Sequence, residues 1–398
     1  MSILVINHHG MIAKYGSNHR HYKIGKVLSE NGYKYTLISS SLRQNNQKYI
    51  HNELIKNDVV NENFNFISIK TKPKYNNNIL RFINYLDFTY KVSKIEFETP
   101  PKHIVGSSVH PFTWIAAYKL SKKYNAEFHV EIRDIWPLSL LEDLKGVQKK
   151  VIFNFFNLLE KKYYPLAKSI IVTAPKGSNY LKENFNIPDS KITYIPHSID
   201  VKQFEKNELN YEVDFIKASF NENFNITYVG SLSSSEGLEN LIVLAGELKN
   251  YKNIKIHIFG EGKIRDKINN LIMDLNLMNV KLYGSVNSKY IPYILRKSDV
   301  LWCGLKERQA FKYGISKNKF YEYIAAEKPI IFHSNVEDSP LNNVDNAYLL
   351  KINESAKNTV LRIRNGEINT FDSKSFLYEN HSDEVIAFKF LETLENKE

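Results

Sequence analysis

The chain has 398 residues, 43% hydrophobic and 24% charged, and its 54 Lys and Arg against 43 Asp and Glu give a formal net charge of +11. This length suits two domains, and the composition excludes a chain that is mainly disordered. No apolar run approaches the roughly 18 residues of a membrane-spanning helix. The single cysteine, Cys303, excludes disulfide frameworks and Cys-rich metal sites.

The excess of basic residues suits an anionic partner, such as nucleic acid, acidic lipid or a nucleotide diphosphate. Nucleic acid has the least support, because the Lys and Arg are spread along the chain without an arginine-rich tail. The first ten residues contain only four consecutive apolar residues, too few for a secretory leader. A cytoplasmic location is therefore expected.

The first half of the chain alternates short apolar runs with stretches of helical spacing. Seven runs are predicted strands: residues 3–6, 35–38, 64–69, 103–105, 128–132, 169–172 and 192–195. Apolar runs without alternation suit strands that are buried on both faces. A parallel sheet covered by helices is therefore expected.

The same pattern resumes after residues 197–217, a polar stretch that we predict to be a linker. Six further strands are predicted at residues 224–229, 254–259, 280–283, 300–303, 329–332 and 348–350. Glycine follows each of the first three, as Gly230, Gly260 and Gly284. Glycine lets the backbone turn sharply at the carboxyl end of a strand, which is the edge where open α/β sheets bind ligands.

These patterns predict an α/β protein with two doubly wound parallel-sheet domains, Rossmann-like, facing a cleft. The boundaries expected are 1–198 and 199–375. Residues 376–398 contain a last run with helical spacing, which either closes the second domain or crosses back to the first.

An anion site is predicted at the start of a helix near residue 317. Ser316 is the expected N-cap, and Pro329 ends the segment before the next strand. Free backbone N–H groups near residues 314–318, reinforced by Lys317 and Lys319, suit a diphosphate.

Glu322 lies one turn inside this predicted helix, on the same side as Asn318 and Lys319. Its carboxylate can accept hydrogen bonds from a ribose diol, and a sugar site beside a phosphate site indicates a nucleotide. The alternative is a solvated Glu322 paired with Lys319, worth at most about half a kcal/mol.

Residues 314–329, Gly-Ile-Ser-Lys-Asn-Lys-Phe-Tyr-Glu-Tyr-Ile-Ala-Ala-Glu-Lys-Pro, resemble the donor-binding signature of family 4 glycosyltransferases, which have the GT-B fold. Further segments agree with that family in order and spacing: residues 15–20, 106–111, 131–137, 194–200, 228–237 and 259–262. The Gly-Ile-Ser-x-Asn-Lys form is similar to that of bacterial capsule and O-antigen transferases.

The resemblance implies a retaining, metal-independent transfer of a sugar from a UDP-sugar to an acceptor hydroxyl in the interdomain cleft. The first domain would bind the acceptor and the second the nucleotide sugar, with no other cofactor. The sugar would be a hexose or an N-acetylated amino sugar. No Asp-x-Asp triplet occurs, although a metal-dependent GT-A enzyme would ordinarily need one.

Site residues follow from matching positions. The resemblance implies donor binding by Gly16, Arg20, Gly230, Ser231, Gly260, Gly262, Lys263, Val286, Ser316, Lys317, Asn318, Lys319 and Glu322. It implies catalytic roles for His110 and Asp134. Alternatives stay open, because His110 can simply cap the following helix and Asp134 can cap a helix or pair with Arg133. A metal on His8, His9, His19 and His21 is not expected, since no carboxylate supports them.

The chain departs from the family pattern at two places. The family's first glutamate would fall at Gly314, so one carboxylate near the donor sugar is missing. The loop 231–236 lacks the Arg or Lys that many members place against the diphosphate. Other cations would have to supply the charge, namely Lys317, Lys319, Lys263 and Arg20.

Two aromatic and basic helices are predicted at 74–94 and 149–164. In the second, the apolar residues Val151, Phe155, Leu158 and Leu159 can form the stripe that faces the core. Further aromatic residues would then lie beside the lysines, namely Phe153, Phe156, Tyr163 and Tyr164. Such a helix can lie on an anionic membrane, so we expect a lipid-linked saccharide acceptor and peripheral attachment at the inner face of the membrane.

Two rival functions remain open at this point. A GT-B nucleotide-sugar epimerase would need a pair of acid/base carboxylates that the sequence does not show. A non-catalytic GT-B subunit that partners another transferase is favoured by Gly314 and opposed by His110 and the preserved donor segment.

Overall fold

The computed structural model describes residues 1–16, 20–43, 48–73, 78–108, 110–141, 146–210, 220, 223–369 and 371–395. The chain divides into two compact units. The first comprises Met1–His197 with Asp383–Glu398, and the second comprises Ser198–Ser382.

The first unit is built on an eight-stranded sheet in the order β3-β4-β2-β1-β5-β6-β7-β8. Its strands are β1 (Ser2–Asn7), β2 (Lys34–Ser40), β3 (Ile55–Asn61), β4 (Phe64–Ile69), β5 (His103–Ser108), β6 (Glu127–Ile132), β7 (Ser169–Val172) and β8 (Ile192–Tyr194). All pairs are parallel except β3 with β4. Its helices include α1 (Arg20–Glu30), α2 (Asn78–Val92), α3 (Phe112–Tyr124), α4 (Leu138–Leu141), α5 (Gly146–Leu166) and α6 (Gly177–Phe185).

The second unit has a six-stranded parallel sheet in the order β11-β10-β9-β12-β13-β14. Its strands are β9 (Phe224–Val229), β10 (Ile254–Phe259), β11 (Val280–Gly284), β12 (Val300–Gly304), β13 (Ile330–His333) and β14 (Ala347–Leu350). Its helices include α7 (Val201–Asn210), α8 (Leu238–Leu248), α9 (Arg265–Asp274), α10 (Ile291–Lys297), α11 (Asn318–Ala325), α12 (Lys357–Arg364) and α13 (Ser373–His381).

Burial on both faces explains the apolar strands of the second sheet. One core cluster joins Leu301 and Phe332 to Phe320 and Ile324 of α11. A second cluster joins other residues of the same strands to α8 and α12. The predicted α/β class with two doubly wound parallel sheets is confirmed.

The C-terminal run forms two helices, because Ser382 has an extended backbone after α13. The last helix, α14 (Asp383–Glu395), belongs to the first unit. Its Ile386, Phe390 and Leu394 are buried in one cluster with Ile24 and Leu28 of α1.

The predicted linker was wrong over part of its length. Residues Val201–Asn210 form a helix, and Val201 and Phe204 are buried in the core of the second unit. Residues 211–217 of the predicted linker and 74–77 of the first predicted basic helix lie outside the described residues. Among the described helices, none is long and apolar enough to cross a bilayer.

Candidate functional site

Glycines mark the carboxyl edge of the second sheet, where β9, β10 and β11 end side by side. Gly260 N–H donates to the carbonyl of Gly284 at 2.7 Å. A β-carbon on Gly260 would lie 1.7 Å from the carbonyl oxygen of Gly230, and one on Gly262 would lie 2.3 Å from that of Leu232. The loops after β9 and β10 therefore pack backbone against backbone, which only glycine allows.

Helix α11 begins one residue later than the sequence suggested. Lys317 is the N-cap, with extended backbone at φ −124° and ψ 145°, and Asn318 is the first helical residue. Ser316 does not cap the helix, because its hydroxyl pairs with the Tyr321 hydroxyl at 2.8 Å. The N-cap prediction for Ser316 was therefore wrong.

Helix α11 is fixed to the end of β9 through contacts of both Tyr323 and Lys319. Val229 N–H donates to the Tyr323 hydroxyl at 2.9 Å. The Lys319 ammonium lies 4.7 Å from the centre of the Tyr228 ring, and the Tyr228 hydroxyl donates to the carbonyl of Ser231 at 2.7 Å. These contacts bring Lys319 beside the glycine loops, as the sequence pattern indicated.

A carboxylate that the sequence analysis missed lies between the two lysines of α11. The Lys317 ammonium is 2.5 Å from Glu236 Oε1, and Lys319 pairs with Glu236 Oε2. The Glu236 side chain is only 8% exposed. Burial by itself would raise the pKa of this carboxyl, but Lys319 and Lys317 hold it below its ordinary value.

In this structure the Glu236 carboxylate therefore occupies the predicted anion site, as the partner of Lys317 and Lys319. The three charged groups sum to one positive charge, so the site still favours an anion. One signal in the sequence pointed to Glu236. The loop 231–236 has an acid at its end instead of the expected base.

The other predicted donor residues of the second unit lie in the loops after the strands at this edge of the sheet or on α11. Ser231 and Lys263 are exposed in the loops after β9 and β10. Val286 follows β11 and packs partly buried against the core. Glu322 is partly buried on α11. Gly314 has φ +78°, a backbone conformation that disfavours a glutamate at this position.

Arg20 in the first unit is buried, and each of its three guanidinium nitrogens donates to a protein acceptor. Its Nε donates to Glu131 Oε1 at 2.8 Å, Nη2 donates to the carbonyl of Ile195 at 3.1 Å, and Nη1 donates to the carbonyl of Pro196. The expected contact of Arg20 with a diphosphate does not fit this arrangement. Arg20 instead fixes the carboxyl ends of β6 and β8.

The Glu131 carboxylate connects three strands of the first sheet. Its Oε2 accepts from the Ser107 hydroxyl at 2.6 Å and lies 2.7 Å from His21 Nε2. Asn7 of β1 also donates to Ser107, at 3.0 Å. Burial would raise the pKa of Glu131, but His21 and Arg20 hold it well below its ordinary value.

His110 lies in a buried aromatic cluster after β5. Its ring stacks on Tyr85 with 3.9 Å between ring centres and meets His8 edge-on at 4.9 Å. The residue is fully buried. Pro111, and not His110, is the N-cap of α3, so the helix-cap alternative for His110 is wrong.

The remaining predicted residues of the first unit are exposed. Asp134 follows β6, and its carbonyl accepts from Trp136 N–H at 3.0 Å. Gly16 ends a short 3-10 helix with φ +82°. Ser17, Asn18 and His19 of the same segment lie outside the described residues.

Residues 211–365 match the protein family described as Glycosyl transferases group 1. An uncharacterised glycosyltransferase of Methanocaldococcus jannaschii is 24% identical over 241 residues, which is 58% of this chain and 56% of that protein. The match thus spans little more than half the length of that relative.

Two solved structures show the same fold over the whole chain. Sucrose-phosphate synthase from Thermosynechococcus elongatus is 15% identical with a TM-score of 0.70, and the alignment covers 98% of both chains. Anabaena HepE, in complex with UDP and glucose, is 12% identical with a TM-score of 0.66 over 99% of both chains. The chain therefore has the GT-B fold, and its residues 211–365 carry the match to Glycosyl transferases group 1.

Proposed function

We propose that the chain is a glycosyltransferase that moves a sugar from a UDP-sugar to an acceptor hydroxyl, with retention of configuration and without a metal ion. One observation carries this proposal. Lys317 and Lys319 lie at the start of α11, beside the glycine loops at the carboxyl edge of the second sheet. All of these groups fall within the 211–365 match, and HepE supports UDP as the nucleotide.

The proposed chemistry needs little more than placed positive charge. Breaking the bond between sugar and diphosphate puts negative charge on the leaving group, so cations and N–H donors that bind this charge lower the barrier. Lys317, Lys319 and the first N–H groups of α11 would supply them. Glu322 would accept hydrogen bonds from the ribose, one turn along the helix.

In this proposal the diphosphate replaces Glu236 as the partner of the two lysines. Binding would then require the Glu236 side chain to leave them, because two anions cannot share the same ammonium groups at low cost. Glu236 would therefore lower the affinity for the donor, and it would keep the two partly buried lysines paired when no donor is bound. His110 and Asp134 remain the proposed catalytic residues of the first unit.

We expect UDP to raise the melting temperature of the protein, and GDP and ADP not to do so, because a ligand that binds only the folded state stabilises it.

Lys319→Ala should weaken UDP binding by about tenfold or more, the cost of a lost hydrogen bond to a charged group. Glu236→Gln should act in the opposite direction and strengthen binding, since it removes the competing charge. Isothermal titration calorimetry with UDP measures both effects.

Lys252→Ala is the matched control, because Lys252 is exposed just before the amino end of β10, at the opposite edge of the same sheet. Its UDP affinity should equal that of the unaltered protein. Equal affinity in Lys319→Ala would contradict the assigned donor site. If the protein binds UDP but does not release UDP from a UDP-sugar, it is instead the non-catalytic subunit. Glycine at position 314, where the family has a glutamate, supports that alternative.

We further propose that the acceptor is a lipid-linked saccharide of surface polysaccharide assembly and that α5 contacts the membrane. Val151 is 61% exposed and Leu158 is 65% exposed, and the Phe153 and Phe155 side chains are also exposed. Phe155 lies 6.1 Å from Phe82 of α2, between ring centres, so the apolar surface continues onto that helix.

The faces of α5 differ in part from those expected, although Phe153 is exposed and Leu159 packs partly buried against the core as predicted. Val151, Phe155 and Leu158 were predicted to face the core but are exposed, while Phe156 and Tyr164 are buried. Tyr163 is buried as well. Exposed lysines 150, 161 and 162 accompany the apolar stripe. A helix whose exposed face carries apolar and basic residues suits an anionic lipid surface.

Val151→Glu combined with Leu158→Glu should weaken binding to vesicles of phosphatidylglycerol and phosphatidylethanolamine by about tenfold or more. The reason is that a buried Val or Leu side chain contributes about 1.5–3 kcal/mol. Vesicle flotation measures the bound fraction. Met278→Glu is the control, because Met278 is an apolar side chain of the second unit that is 90% exposed. Flotation that does not depend on anionic lipid would contradict the proposed contact.

A further inference from the structure

Two histidines and a glutamate meet at the amino ends of β5 and β6, away from the residues discussed above. The strand register pairs His103 with Glu127, and pairs His129 with Ser169 of β7. Since residues i and i+2 of a strand share a face, the four side chains lie on one side of the first sheet.

Three potential metal-ligand atoms converge within this group. His103 Nδ1 is 2.9 Å from Glu127 Oε2 and 3.2 Å from His129 Nε2. His129 Nε2 is 4.0 Å from Glu127 Oε2. Ligand atoms of a tetrahedral zinc ion with bonds of about 2.0–2.1 Å are separated by about 3.3 Å, a value within the range of these three distances.

Hydrogen bonds alone satisfy this arrangement poorly. A neutral ring carries one proton, and one His103 Nδ1–H cannot point well at both neighbours. A divalent cation would use the lone pairs of all three atoms.

Two of the three proposed ligands, His129 and Glu127, have outer contacts of the kind that orient metal ligands. His129 Nδ1 lies 2.8 Å from the Ser169 hydroxyl, which leaves Nε2 directed toward the other two ligand atoms. Lys168 donates to Glu127 Oε1 at 2.7 Å, leaving Oε2 for the shared centre. Partners of this kind fix the tautomer and the orientation of ligating side chains.

We propose that His103 Nδ1, His129 Nε2 and Glu127 Oε2 bind one zinc ion, with water as the fourth ligand. Two imidazoles and one carboxylate are a donor set that open zinc sites use. The two histidine side chains are almost fully buried, whereas Glu127 is 35% exposed. The ion and its water would therefore enter from the Glu127 side.

The site lies far from the proposed chemistry. His103 begins β5, and five steps along the strand at 3.3 Å each put the carboxyl edge of the sheet about 16 Å away. The ion would join β5 to β6 and, through Ser169, contact β7. It would thus stabilise the first unit, and sugar transfer without a metal would be unaffected.

The test titrates zinc chloride into chelator-treated full-length protein by calorimetry and records the melting temperature with and without zinc. The expected result is one ion per chain and a higher melting temperature with zinc. Glu127→Gln, which keeps the size of a partly exposed side chain, should weaken zinc binding at least tenfold. Ser169→Ala should weaken it about tenfold through the lost outer contact.

His51→Gln is the matched control, since His51 is a partly buried histidine of the same unit that contacts Ser68 at 2.7 Å. Its zinc affinity should be unchanged. Cobalt(II) absorption of the unaltered protein should show the intense visible bands of four-coordinate geometry. No saturable binding by the unaltered protein, or equal binding by Glu127→Gln, would overturn the proposal, and circular dichroism checks that each variant is folded.

Discussion

Replacing Glu131 with alanine is expected to lower the free energy of unfolding of the first unit by about 3–5 kcal/mol. The substitution leaves the buried guanidinium of Arg20 without its counter-charge, and arginine cannot lose its proton to escape the cost. Ser107 and His21 lose an acceptor at the same time. Urea unfolding followed by tryptophan fluorescence measures the change, since Trp114 and Trp136 lie in this unit.

A second variant separates the cost of an isolated charge from the value of the ion pair. Arg20→Met combined with Glu131→Leu removes both charges and should recover much of the lost stability, as apolar replacement of a buried pair often does. Glu30→Ala is the control, because the contact between Glu30 and Lys26 is exposed and 4.0 Å long, so its loss should cost under about 1 kcal/mol. A cost of that size for Glu131→Ala would contradict the assigned role.

This network also changes what Arg20 contributes to function. The resemblance placed Arg20 against the donor, but its guanidinium holds Glu131 and the carbonyls after β8. The second unit has a related arrangement, in which Glu236 engages Lys317 and Lys319. In both units, cations expected to bind a ligand have a carboxylate partner within the protein.

The strands were predictable because parallel strands are buried on both faces. Residues 64–69, 169–172, 224–229 and 254–259 form strands with the predicted bounds. The missed strand is β3, which pairs with β4 alone at the edge of its sheet. Val59 of β3 is 70% exposed, and an edge strand of this kind need not be apolar.

Side-chain partners were harder to predict, because they depend on the docking of distant segments. Lys317 and Lys319 could be placed at a helix start from local spacing, whereas Glu236 is about eighty residues earlier in the chain. The buried face of α5 was ambiguous for another reason. Aromatic and aliphatic residues occur all round this helix, so periodicity alone does not choose between Phe155 and Phe156.

Replacing Glu160 with glutamine is expected to raise the stability of the first unit at pH 8 and to have little effect at pH 5. Glu160 is fully buried on α5, where the hydroxyls of Tyr164 and Tyr180 donate to it at 2.8 and 2.9 Å. Burial raises the pKa of its carboxyl to about 8, and these hydroxyls lower it only in part.

The direction in which stability changes with pH follows from the number of protons bound in the folded and unfolded states. Between the ordinary pKa of 4.5 and about 8, the folded protein keeps a proton on Glu160 that the unfolded chain has lost. Stability contributed by this group is therefore complete below about pH 4.5 and falls as the pH rises toward 8. At about 1.4 kcal/mol per pH unit, the loss of stability has an upper limit of about 5 kcal/mol.

Glutamine keeps the shape of the protonated acid and has no proton to lose, so the stability difference between Glu160→Gln and the unaltered protein should grow from pH 5 to about pH 8 and then level off. Urea unfolding at several pH values measures this difference, in which the titration of all other groups cancels. Glu392→Gln is the matched control, because Glu392 is exposed on α14 of the same unit. A difference that stays constant with pH would show that Glu160 is ionised in the folded protein and that burial does not hold its proton.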